Sequence, residues 1–150
     1  NGLIGAFGFI VTFSIAFYLA KLAKKHGAKM IHFACLLFGA ISFLWFPTIQ
    51  NQYVFFAVII GYGIAWASMM GIPYLMVVAV IPKERYGVYM GIINMMIVIP
   101  MIIQNLSFGY ILKNFLDNDP RQAISFAGVL LMLAAICTLL IKIKNTKVSE

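Results

Sequence analysis

The sequence predicts an all-α fold, a polytopic bundle of membrane-spanning helices, on three observations. Apolar residues make up 63% of the chain and charged residues 10%, against roughly 45–50% and 25% in soluble domains. Five uncharged runs reach the length of a helix that crosses a bilayer. The basic residues are confined to the short gaps between those runs and to the tail, where they act as topology signals and not as a surface for an acidic partner. The first observation excludes a soluble domain and removes nucleic acid as an expected partner. A membrane barrel is excluded by the want of alternating segments of about ten residues.

The first run, Leu3 to Ala20, is uncharged throughout and close to the spanning length. It is not a signal peptide, because no initiator Met, basic leader or small-residue cleavage site accompanies it, and the start at Asn1 reads as a truncation. Met30 to Pro47, equal to the first in length, is the second run. The third, Tyr53 to Ile81, and the fourth, Tyr86 to Leu112, exceed what an upright helix needs and are expected to tilt or kink. The fifth, Ala123 to Ile141, returns to the shorter length. Cys35 and Cys137 fall inside apolar runs without metal-ligand spacing and read as small packing residues. No linker or low-complexity block divides the chain, so residues 1–150 are expected to form one transmembrane unit with sequential helices antiparallel and adjacent.

Charge fixes the expected orientation. Lys21, Lys24, Lys25 and Lys29, then Lys83 and Arg85, then Lys142, Lys144 and Lys147 fall on one side of the membrane. The other side carries only Lys113 and Arg121, offset by Asp117 and Asp119. Nine basic residues against two predict a cytoplasmic C-terminus and a first helix that runs inward. Five spans with an outside start imply further helices upstream, so a missing N-terminal half is expected to supply part of any site.

The spans hold no ionisable residue in their cores, His32 lying only one turn past the basic loop. A coupled carrier usually needs such a group, which is therefore expected in the absent portion. Enzymatic chemistry is not expected: no Ser, His and Asp set converges, no phosphate-binding loop exists, and no cofactor or metal motif occurs.

The candidate site is built from aromatic rings, amides and prolines. At 100° per residue Tyr62, Trp66 and Pro73 share a helix face within about 40°, a pair of rings suited to stacking on a sugar, with Ser68 or Tyr74 adding hydrogen bonds. Core packing is the alternative reading. Asn94 and Asn105 share a face about 16 Å apart in depth, and an amide in hydrocarbon requires a partner or water. Asn94 faces either a central cavity or a neighbouring helix, while Gln104 lies nearer the outer surface. Pro73 and Pro100 each remove a helix hydrogen bond, freeing the carbonyls of Met69 and Met96, and mark either movable joints or fixed bends. Glycines cluster at Gly2, Gly5 and Gly8, at Gly61, Gly63 and Gly71, and in the GxxxG pair Gly87 and Gly91, where they permit close helix approach.

The stretch PKERYGVYMGIINMMIVIP, residues 82–100, resembles the helix-10 to helix-11 connection of the major facilitator superfamily. Within it GIINMMIVIP is similar to the GVLNLAIVIPQ stretch of sucrose-transporter-like carriers, neighbours of the bacterial glycoside-pentoside-hexuronide carriers. GIAWASMMGIPY, residues 63–74, extends the likeness to about a third of the chain. LAKLAKKHGAK resembles a degraded form of the superfamily loop GxLADRxGRR. In it Gly27 and Lys29 fit, whereas Lys24 stands where the motif has Asp, and that acid's role is not carried over. The resemblance implies that the five spans are helices 8 to 12 of twelve, with helices 8, 10 and 11 facing the cavity. On that basis Tyr62, Trp66 and Asn94 line it.

The expected function is a secondary carrier of a sugar, a disaccharide or glycoside, working by alternating access with proton coupling. The resemblance implies a bacterial inner membrane as its location. Two alternatives stay open: export of apolar compounds across the Met-rich surface of Met69, Met70, Met76, Met90, Met95, Met96 and Met101, and a non-transporting membrane subunit.

Overall fold

The computed structural model describes residues 2–142. Asn1, Lys144 and Lys147 lie outside the described residues. Five helices follow one another: α1 (Gly2–His26), α2 (Ala28–Trp45), α3 (Gln52–Val78), α4 (Tyr86–Phe115) and α5 (Pro120–Leu140). Each is long and apolar enough to cross a membrane, and the chain is an integral membrane protein built as a helical bundle.

The helix ends follow from local chemistry. The first helix continues past its apolar run through Lys21, Lys24 and Lys25 to His26, because lysine is a good helix former and cations are favoured at a helix C-terminus. It stops at Gly27, whose φ of 90° is open to glycine without strain. A turn of 3-10 helix at Phe46–Thr48 closes α2 around Pro47. The next helix starts on Asn51, whose side-chain oxygen accepts from the Tyr53 N–H at 2.8 Å, a cap worth about 1 kcal/mol. Both α3 and α4 remain helical through Pro73 and Pro100. Between α4 and α5 the chain turns on Asp117 and Asn118, at φ 48° and 57°, residue types that tolerate the left-handed region. Asp119 then caps α5 by accepting the Arg121 N–H at 2.8 Å, ahead of Pro120 at the first helical position.

Packing centres on α2, which lies between α3 on one side and α5 on the other, while α1 packs on α3. Lipid tails are as apolar as leucine, so what holds such helices together is close fit through small residues. Gly39 lies against Ala65, where an added Cβ would come within 2.5 Å, and Gly61 lies directly against Ser42. On α1, the Thr12 hydroxyl is 2.9 Å from the Gly8 carbonyl and 3.3 Å from the Gly63 carbonyl of α3. Gly128 of α5 receives Leu44 and Phe43 of α2. Leu19, Cys35 and Ala67, one from each of α1, α2 and α3, form the buried centre of this frame.

The fourth helix stands apart. Ile93 is its one buried residue among those described, and much of its apolar surface faces outward, Met96 at 71% and Leu106 at 81% exposed. It meets α3 early in its length and leaves the frame beyond that point.

Candidate functional site

The candidate residues sit on α3 and α4. Tyr62 and Trp66, one turn apart on α3, stack with ring centroids 5.9 Å apart and planes at 27°. On the other side of Tyr62 lies Phe43 of α2, at 5.8 Å and 11°. The three rings make a ladder that steps from α2 onto the open side of α3, where Tyr62 is exposed and Trp66 half-buried. Tyr62 is thus held by a neighbouring helix, and among the described residues Trp66 stacks on no aromatic ring other than Tyr62.

Asn94 reaches α3 from α4, two turns along α3 from Trp66. Its Oδ1 accepts from the Tyr74 hydroxyl at 2.5 Å, which satisfies one acceptor of the amide inside a membrane span. Among the described residues the two N–H donors of Asn94 and the lone pairs of the phenol make no further hydrogen bond. An interhelical bond and a polar surface are therefore both present at this residue. Pro73 precedes Tyr74 on α3, so the residue that cannot donate to the helix ladder is adjacent to the one that ties the two helices together.

The remaining candidates are not drawn in. Gln104 is exposed ten residues beyond Asn94, about 15 Å further along α4, and makes no hydrogen bond among the described residues. Pro100 is exposed on the same helix. A larger cavity of about 590 Å³ lies at the other end of α3, lined by Phe46, Gln50, Asn51, Tyr53 and Arg121. It contains none of Tyr62, Trp66, Asn94 and Gln104.

One polar pair escapes sequence reasoning. His32 is buried in the second turn of α2, and its Nδ1 lies 2.7 Å from the Ser68 Oγ of α3. Cys35 is buried one turn further along α2. The sequence places His32 at the edge of the basic loop, whereas α2 begins at Ala28 and carries the imidazole into the helix interface. The available signal was a histidine preceding an unbroken apolar run, since a buried polar group requires a partner. Ser68, with Ala65 and Ala67 in the small-residue stretch of α3, is that partner. Because Ser68 turns toward α2, it does not join Tyr62 and Trp66.

Comparison with known proteins adds one match. The family model described as Major Facilitator Superfamily matches residues 1–149. No curated protein and no solved structure shows a significant similarity to the chain.

Proposed function

The chain belongs to the major facilitator superfamily of membrane transporters, and from that premise we propose that it forms part of a secondary carrier that moves a sugar, a disaccharide or glycoside, by alternating access with proton coupling. The observations that support the reading are a ring ladder ending at Trp66 and, two turns further along α3, an amide and phenol joined at Asn94 and Tyr74. A sugar ring offers an apolar C–H face and a rim of hydroxyls, and these are the two surfaces such a pair complements. Gln104 extends the polar rim toward the outer surface. In this reading the five helices correspond to helices 8 to 12 of a twelve-helix carrier in a bacterial inner membrane, with the C-terminus cytoplasmic. The other helices of the same protein supply the opposite wall and the coupling acid, and Pro73 and Pro100 serve as joints.

Uptake of radiolabelled sugars into vesicles, with and without a pH gradient, tests the proposal. Gradient-dependent uptake that falls on Trp66→Ala and on Asn94→Ala is the expected result. Wild-type uptake in both variants would remove these residues from the site, and no uptake of any sugar would remove the substrate class.

A second reading draws on the methionines. Met70, Met95, Met96 and Met101 are all exposed, by 42 to 71%, and a flexible thioether surface suits apolar compounds of varied shape. Under that reading the substrate is a drug-like or lipid-like molecule moved outward, and deletion of the protein lowers resistance to such compounds while sugar uptake is unaffected.

A further inference from the structure

At the end of the bundle where α2 closes and α3 and α5 begin, the 3-10 turn at Phe46–Thr48 lies beside α5. The cavity of about 590 Å³ is found there, within the range of roughly 300–1,000 Å³ that small-molecule sites occupy. Aromatic rings form much of its wall. Phe46 and Phe55, from either side of the α2–α3 connection, meet with centroids 5.5 Å apart and planes at 59°, and Tyr53 adds a ring that is 74% exposed. Polar groups line the same space: Gln50 and Asn51 from the connection and Arg121 from the first turn of α5. The Asn51 side-chain oxygen accepts the Tyr53 N–H as a helix cap, and its NH2 group supplies donors.

Helix chemistry does not explain where Arg121 stands. It follows Pro120 in the first turn of α5, at the positive end of the helix dipole, where a cation is disfavoured. Topology does not require it either, because Lys21, Lys24 and Lys25 lie at the opposite end of the bundle, in the last turns of α1. The acid nearest to it in sequence, Asp119, caps α5 through Oδ1. Aromatic residues anchor many helices at the membrane surface, but anchoring does not gather rings, amides and a guanidinium around one cavity.

We propose that this cavity binds an aromatic carboxylate. The Arg121 guanidinium holds the carboxylate, Gln50 and Asn51 add amide donors, and the flat body of the ligand lies against Phe46, Phe55 and Tyr53. A guanidinium and a carboxylate match edge to edge in two parallel hydrogen bonds. Among the described residues one cation lines the cavity, which a singly charged carboxylate balances and a phosphate monoester, with nearly two charges, exceeds. Rings select a flat partner over an alkyl chain, because aromatic pairs gain beyond the area they bury. The cavity shares no residue with the proposed sugar site, so this anion is a second ligand of the protein and not the transported sugar.

The test is equilibrium dialysis of the full chain in detergent against radiolabelled naphthoate, with protein-free micelles subtracted. No sugar is present, so the outcome is independent of the sugar-carrier reading. Saturable binding is expected, with naphthamide, the same ring system without the charge, bound about tenfold more weakly. Arg121→Gln should lower naphthoate affinity about tenfold and leave naphthamide unchanged. Arg121→Lys keeps the charge without the fork and should fall between. Tyr53→Leu should weaken both ligands about fivefold. Unfolding temperatures without ligand check the variants, and the comparison of naphthoate with naphthamide on the unaltered protein stands without them. No saturable binding, equal affinity for the two ligands, or full naphthoate affinity in Arg121→Gln would each overturn the proposal. So would decanoate or naphthyl phosphate bound as tightly as naphthoate.

Discussion

The Tyr74 hydroxyl on α3 donates to Asn94 Oδ1 on α4 at 2.5 Å, beside the proline of α3. Each partner alone is a polar group placed in hydrocarbon, and the bond between them is what makes both tolerable at that depth. The same bond sets where the amide of Asn94 points. Tyr74→Phe removes the donor while preserving ring shape, so the expected outcome is an apparent KM for the transported substrate raised about fivefold, the worth of one hydrogen bond. Asn94→Leu removes the amide donors of the proposed site as well and should cost more. Initial-rate uptake by both variants, at equal protein per vesicle, checks the order.

Trp66 and Phe43 occupy the two ends of the ring ladder and should differ in their effect on uptake. Trp66→Ala removes the ring that ends the ladder, and a loss of about tenfold in kcat/KM is expected beside the loss of one stacking contact worth about 1 kcal/mol. Phe43→Leu removes the ring behind Tyr62, and should lower stability by about 1 kcal/mol with a smaller effect on uptake. Parallel uptake and thermal-unfolding measurements distinguish the two.

Ser68→Ala is expected to destabilise the bundle by about 1 kcal/mol, because it leaves the buried imidazole of His32 without its partner. Adding His32→Leu to that variant should recover part of the loss, since both polar groups are then gone. If the double variant is less stable than the sum of the single ones predicts, the pair is not what holds this part of α2 against α3. Thermal unfolding in one detergent gives the cycle.

Glycines on α2 and α3 should be far less replaceable than those on α4. A Cβ at Gly61 would collide with Ser42, so Gly61→Ala should cost about 1–3 kcal/mol, and Ser42→Gly should relieve part of it. Gly91 has nothing within 4 Å of an added Cβ, and Gly91→Ala should stabilise its helix by up to about 1 kcal/mol through helix propensity. The contrast is read from unfolding temperatures of the three variants.

That contrast also marks how far the sequence was legible. The spans were readable because charge is excluded from hydrocarbon, and only their limits moved: α1 runs on to His26 and α4 to Phe115, since a helix continues through good formers such as lysine and leucine beyond the apolar run. The stack of Tyr62 on Trp66 was readable because a spacing of four on one helix is local geometry. Tyr74 with Asn94, Phe43 with Tyr62, and His32 with Ser68 join different helices, and no spacing rule gives the rotation of one helix against another. The GxxxG pair at Gly87 and Gly91 meets no neighbour within 4 Å, while Gly39 and Gly128, which form no motif, make two of the closest approaches. A glycine shows where a helix is able to come near, not whether one does.

The isolation of α4 has a mechanical consequence. Four helices are pinned to one another by glycine and serine contacts along their lengths, whereas the fourth in chain order is tied near one end, at Asn94. From Asn94 to Phe115 the helix extends about 30 Å. With the tie as fulcrum, a tilt of about 10° carries the far end through roughly 5 Å, the pitch of one helical turn, while Tyr74 and Asn94 barely separate. The residues nearest the tie keep their geometry, Gln104, about halfway along the lever, moves by about half the distance, and Phe115 at its end moves the whole of it.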